Sequence, residues 1–230
     1  MAPWLSPLAQ ARFRRLAADL RRVFDRRFVA LIAYGPHRGA AFAANIDPAD
    51  LDAMGALVET WHRDHLATPL VLTPDELRRS LDAFPLEFQA MLDRHVLVDG
   101  EDPFAGVRID ARDLQRACKS QAKGHLVHLR QGWLEARGHA EDLTQLAARS
   151  AGPFRTLLAH VARLSGDPAD TDEALLAFGE QAIHLPADLG RDLLSVDERP
   201  EAGARVAARL GDYLAATERL WAFVDAWTPR

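Results

Sequence analysis

The chain has 230 residues, 48% of them apolar and 27% charged, enough for one large domain or two small ones with real cores. Its formal charge of −5 gives no sign of bulk attraction to nucleic acid or a membrane surface. One cysteine, Cys118, excludes an intramolecular disulfide and a multi-cysteine zinc site.

The lone cysteine fits a reducing cytoplasm, and a cytoplasmic location is the expectation. The N-terminus has no charged start followed by an apolar core, so it does not read as a signal peptide. No apolar run approaches the roughly 20 residues of a membrane helix.

Ser6-Pro7 reads as an N-cap with proline at the first helical position. Leu8, Phe13, Leu16, Leu20 and Val23 then follow near helical spacing, opposite Arg14, Arg15, Arg21 and Arg22. This predicts an amphipathic helix over about 7–26. FVALIAY, from Phe28, predicts a buried strand, and AFAANI a second, with GPHRG between them. Asp47-Pro48 starts another helix, striped by Leu51, Met54, Leu57, Val58, Trp61 and His65. PLVL at 69–72 predicts a third strand, and Thr73 and Glu76 have capping-box spacing. Phe84–Val98 is expected to hold one or two more strands, ending in HVLV before the turn Asp99-Gly100.

The texture changes near residue 109. Asp110 caps a long helix through about Arg137, stopped by Gly138. Helices are expected at about 140–149, 153–165, 171–184 and 201–227, with a break at Gly152-Pro153. The fold class is therefore α+β, a small mixed-sheet domain over 1–108 followed by an all-α helical bundle over 109–230.

A helix, a strand ending in Tyr34-Gly35, a hairpin-like second strand, a helix and an edge strand come in an order that resembles the nucleotidyltransferase superfamily. These are the DNA-polymerase-β-like enzymes, including the aminoglycoside nucleotidyltransferases. The segment LVLTPDELRRSLDAFPLEFQAMLDRHVLVDGEDPFAG is also similar to a bacterial subgroup of that superfamily. The family motif is a strand, then Gly-Ser, a later Gly, and a strand bearing Asp-x-Asp. Its loop places backbone N–H groups and a serine hydroxyl on nucleotide phosphates. Its paired carboxylates hold Mg²⁺, which neutralises the phosphoryl group under attack.

Gly35 and Gly39 match the two glycines. Pro36 stands at the serine, so an N–H and a hydroxyl are lost together. Ala41-Phe42-Ala43-Ala44-Asn45-Ile46 stands where Asp-x-Asp is expected and contains no carboxylate. Asp47 and Asp50 follow at a helix start, and Glu87 matches the third carboxylate that the family carries on a neighbouring strand, where it completes the metal site or acts as base.

The resemblance implies a catalytically degenerate member, a pseudoenzyme, that binds a nucleotide-like ligand or a protein partner in the inherited cleft. The ligand-binding candidates are Gly35, Pro36, His37, Arg38 and Gly39, with Lys119, Lys123 and Arg130 from a basic helix stripe. A competing reading is an active Mg²⁺-dependent nucleotidyltransferase acting on a small-molecule or protein hydroxyl, with Asp47 and Glu87 as catalytic carboxylates; Mg²⁺ is a cofactor only on that reading. A third is an interaction module of toxin–antitoxin type, because Arg155 and His160 have the Arg-x4-His form seen in HEPN ribonuclease toxins. Self-association is left open.

His62-x-x-His65 and His125-x-x-His128 have i, i+3 spacing on predicted helices, a metal-compatible placement without an evident third ligand. The bland reading is that these histidines line helix interfaces. Trp133, Trp221 and Trp227 read as core or interface anchors.

Overall fold

The computed structural model describes residues 4–167, 169 and 171–228. The chain divides into two compact units, one ending at Ile109 and one beginning at Asp110.

The first unit opens with α1 (Pro7–Phe24), whose N-cap Ser6 hydroxyl accepts from the Ala9 N–H at 3.2 Å. Phe13, Leu16, Leu20 and Phe24 recur at helical spacing and are buried. A single 3-10 turn, Asp25–Arg27, delivers the chain into β1 (Phe28–Ala33). β2 (Gly39–Ala43) returns antiparallel to it, with Ala33 opposite Gly39. Two short helices follow, α2 (Pro48–Gly55) and α3 (Val58–Arg63), and then β3 (Leu70–Leu72), parallel to β2. α4 (Pro74–Arg79) starts on the Thr73–Glu76 capping box that the spacing predicts. α5 (Pro85–Asp93) leads into β4 (Val96–Gly100), which pairs antiparallel with β1. The sheet order is β3-β2-β1-β4.

Strand alternation sends neighbouring side chains to opposite faces, and here both faces are covered. Leu31, Ala33, Ala41 and Ala43 share one buried cluster with Phe13, Leu16, Leu20 and Trp61. Ala30, Ile32, Ala40 and Phe42 share the other with Leu77, Phe88, Met91 and Phe104. The first half of Phe84–Val98, expected to hold strands, is the helix α5. Pro85 takes its first turn, and Leu86, Phe88 and Met91 are buried at helical rather than alternating spacing. Val96–Val98 of HVLV form a strand that His95 precedes, and Asp99-Gly100 belongs to it rather than to a turn. Gly100 has φ of 89°, and a Cβ there would stand 2.0 Å from the Val29 carbonyl oxygen, so only glycine fits.

The second unit is helical among its described residues. α6 (Ala111–Ala136) is capped by Asp110 and packs against α7 (Ala140–Leu164). α8 (Asp172–Ile183), α9 (Ala187–Ser195), α10 (Ala202–Ala208) and α11 (Leu210–Ala226) complete it. The expected break at Gly152-Pro153 does not occur, and α7 runs through the proline. Ala147, Ala151, Phe154, Leu158 and Val161 keep one buried face in register across it. That packing outweighs the single backbone bond that Pro153 cannot donate. The helix expected over 201–227 is instead two, interrupted at Arg209, where φ is −120° and ψ 29°. α9 has no counterpart in the sequence reading. Trp133, read as an anchor, is 37% exposed.

Candidate functional site

The glycine loop is a closed hairpin tip. The Tyr34 N–H donates to the Arg38 carbonyl at 3.0 Å, and the His37 carbonyl accepts from the Ala67 N–H at 2.8 Å. Pro36, His37 and Arg38 are exposed, while Gly35 and Gly39 are buried. The Arg38 guanidinium lies 5.2 Å from the Tyr34 ring centroid. Burial pushes the Tyr34 phenol up, and the Arg38 charge acts against it. A Cβ on Gly39 would meet the Ile32 carbonyl oxygen and Phe13 Cε1, each at 3.0 Å. Gly39 thus serves the close approach of β2 to α1, and Gly35 has no left-handed φ. The tip offers the Arg38 guanidinium and the His37 imidazole to an anion.

Downstream of the tip, β2 is sealed. Every residue from Ala40 to Ala43 is fully buried. An i, i+2 pair on one face of the strand is Ala41 with Ala43, and on the other Ala40 with Phe42. Neither face has a carboxylate or room left by its core cluster.

The nearby acids have other partners. Asp47 caps α2, its Oδ1 accepting from the Asp50 N–H at 3.1 Å, and Asp50 Oδ2 accepts from the Asp47 N–H at 3.0 Å. Arg27 grips Asp50 bidentately at 2.6 and 2.7 Å and reaches Asp47 at 3.6 Å. These hydrogen bonds from Arg27, opposed by desolvation, hold the Asp50 carboxyl below its usual range. Glu87 lies exposed in the first turn of α5, a helix where the resemblance implied a strand.

Lys119, Lys123 and Arg130 all sit on α6, within the second unit. Lys119 pairs with Asp225 and Arg130 with Glu218, both from α11, and the Lys123 ammonium lies 3.9 Å from the Trp221 ring centroid. The basic stripe is thus partly neutralised inside its own bundle. Arg155 pairs with Asp172, and His160 Nδ1 lies 3.2 Å from Gln121 Oε1. Five residues apart on one helix, Arg155 and His160 point about 140° apart.

The first histidine pair does not share a helix. α3 ends at Arg63, His65 follows it with φ of 56°, and His62 Nε2 sits 3.1 Å from Thr68 Oγ1. The second pair is on α6. His125 Nε2 lies 2.8 Å from the Tyr213 hydroxyl, which donates to the Ser150 carbonyl at 3.1 Å. Tyrosine has one proton to give, so His125 Nε2 carries the hydrogen of the first bond. Burial, with His128 adding to it, holds the His125 imidazole down to about 4. Among the described residues no three His, Cys, Asp or Glu side chains converge as a metal site. Burial pushes the Cys118 thiol up to about 12, which makes it inert.

Sequence reasoning missed a cavity of about 360 Å³ between α6 and α7, lined by His125, His128, Glu135, Arg149, Ser150 and Pro153 among others. Its one visible signal was a proline inside an otherwise regular helical pattern.

No protein-family model matches this sequence, and neither a curated protein nor a solved structure matches it.

Proposed function

We propose that this chain is a nucleotidyltransferase-like binding protein that carries out no metal-assisted phosphoryl transfer. The supporting observation is β2, where the superfamily places its metal-holding carboxylates. Here the strand presents buried alanines and Phe42 on both faces. Two carboxylates close together are what draw Mg²⁺ to such a site. Asp47 and Asp50 are committed to a helix cap and to Arg27. The ligand is a nucleotide-like anion whose phosphates meet the exposed His37 and Arg38 at the hairpin tip.

Calorimetry with ATP and GTP, in Mg²⁺ and in EDTA, tests the proposal. The expected result is binding that does not need the metal, no pyrophosphate release, and affinity lowered about tenfold by Arg38→Ala. Mg²⁺-dependent pyrophosphate release, abolished by Glu87→Gln, would overturn it in favour of an active transferase.

A further inference from the structure

The helical unit holds a second polar site that the nucleotide reading does not use. Bundle interiors are normally apolar, yet His125, Tyr213 and the Ser150 carbonyl form a hydrogen-bonded chain across α6, α11 and α7. The chain reaches the 360 Å³ cavity, since His125 and Ser150 both line it. That volume lies within the range of small-metabolite sites.

The donors and acceptors around the cavity are unequally satisfied. His125 Nε2 spends its hydrogen on Tyr213, so Nδ1 carries a lone pair, and no described group donates to it. The Arg149 guanidinium makes no hydrogen bond or ion pair among the described residues, and neither does the His128 side chain. Glu135 accepts from Gln131 at 2.9 Å on one oxygen, which leaves lone pairs on the carboxylate. Pro153 has no N–H for the Arg149 carbonyl, so that acceptor lacks its helical donor on the turn that lines the cavity. The site therefore sets the Arg149 guanidinium and the His128 imidazole beside acceptors with lone pairs to spare.

We propose that this cavity binds a small polyhydroxylated anion, of the sugar-acid or sugar-phosphate class. The anionic group meets Arg149 and His128. The hydroxyls donate to His125 Nδ1, the Glu135 carboxylate and the Arg149 carbonyl. A bare anion would leave the acceptors unused in a cavity that Glu135 also lines, and a neutral sugar would leave Arg149 without a charged partner. A metal ion is the poorer occupant, because no three ligating side chains converge there.

The proposal stands apart from the nucleotide reading, since every residue it uses lies in the helical unit. Titration calorimetry of the full chain with glucose 6-phosphate, gluconate, glucose and inorganic phosphate tests it. Either hydroxylated anion, or both, is expected to bind about tenfold or more tighter than glucose and than inorganic phosphate. The stronger of the two identifies the head group. Arg149→Gln and His128→Gln are each expected to weaken that binding about tenfold, with unchanged melting temperature because both side chains are exposed. No heat from either hydroxylated anion would overturn the proposal. So would equal binding of glucose or inorganic phosphate, or affinity unchanged in Arg149→Gln.

Discussion

Asp50 keeps its charge at 4% exposure because Arg27 meets both of its oxygens and the Asp47 N–H meets one. Its folded pKa is depressed, so its stabilising contribution is complete above pH about 4 and is lost as pH falls below that. His125 acts in the same direction but in a higher window. Its ordinary value is 6.5 and its folded value about 4, so the fold excludes the proton that the unfolded chain takes up. Native stability is therefore full above pH 6.5 and falls by on the order of 3 kcal/mol on the way to pH 4. Urea denaturation across pH separates the two. Asp50→Asn is expected to flatten the decline below pH 4 and leave the 6.5-to-4 limb intact. His125→Gln is expected to do the reverse, at some loss of neutral-pH stability from the missing Tyr213 bond. Identical slopes in variant and parent would refute either assignment.

At the level of elements, caps and punctuation were readable and packing partners were not. Ser6, Asp47, Thr73 and Asp110 announced their helices because a cap acts over three residues of sequence. The acid-free β2 was visible for the same local reason. α5 was misread because its apolar residues are short-range ambiguous, and only Phe104 and the sheet face beneath it select a helix. The ion pairs of Lys119 and Arg130 come from α11, far along the chain, so a basic stripe looked freer than it is. The α6–α7 cavity was hidden likewise, since its lining depends on how two helices meet. Pro153 is the clearest case of tertiary override. It is exposed and inside α7, so Pro153→Ala should restore a backbone bond and raise stability by about 1–3 kcal/mol. Differential scanning calorimetry reads this as a melting point several degrees higher. A lower melting point would mean that the proline's rigidity in the unfolded chain outweighs the missing bond.

The molecule as a whole divides into two compact units. The first buries a four-stranded sheet between helices, and the second buries Phe154, Tyr213 and Leu158 among helices alone. Each is of ordinary size for independent folding. Residues 1–109 and 110–230, expressed apart, are each expected to show a cooperative thermal transition by circular dichroism. A fragment that stays unfolded would show that its core is incomplete without the other. The sealing of β2 has a consequence for the history open to such a chain. A carboxylate introduced at position 41 or 43 would arrive in a fully buried site with no partner, costing several kcal/mol before any cation could compensate. Against a total stability of about 5–15 kcal/mol, one such step is severe and two together are ruinous. Single acidic substitutions are thus barred in either order. An acidic pair could be placed there only after the packing around Phe13 had been loosened, so Ala41 and Ala43 are held apolar together rather than as two independent choices.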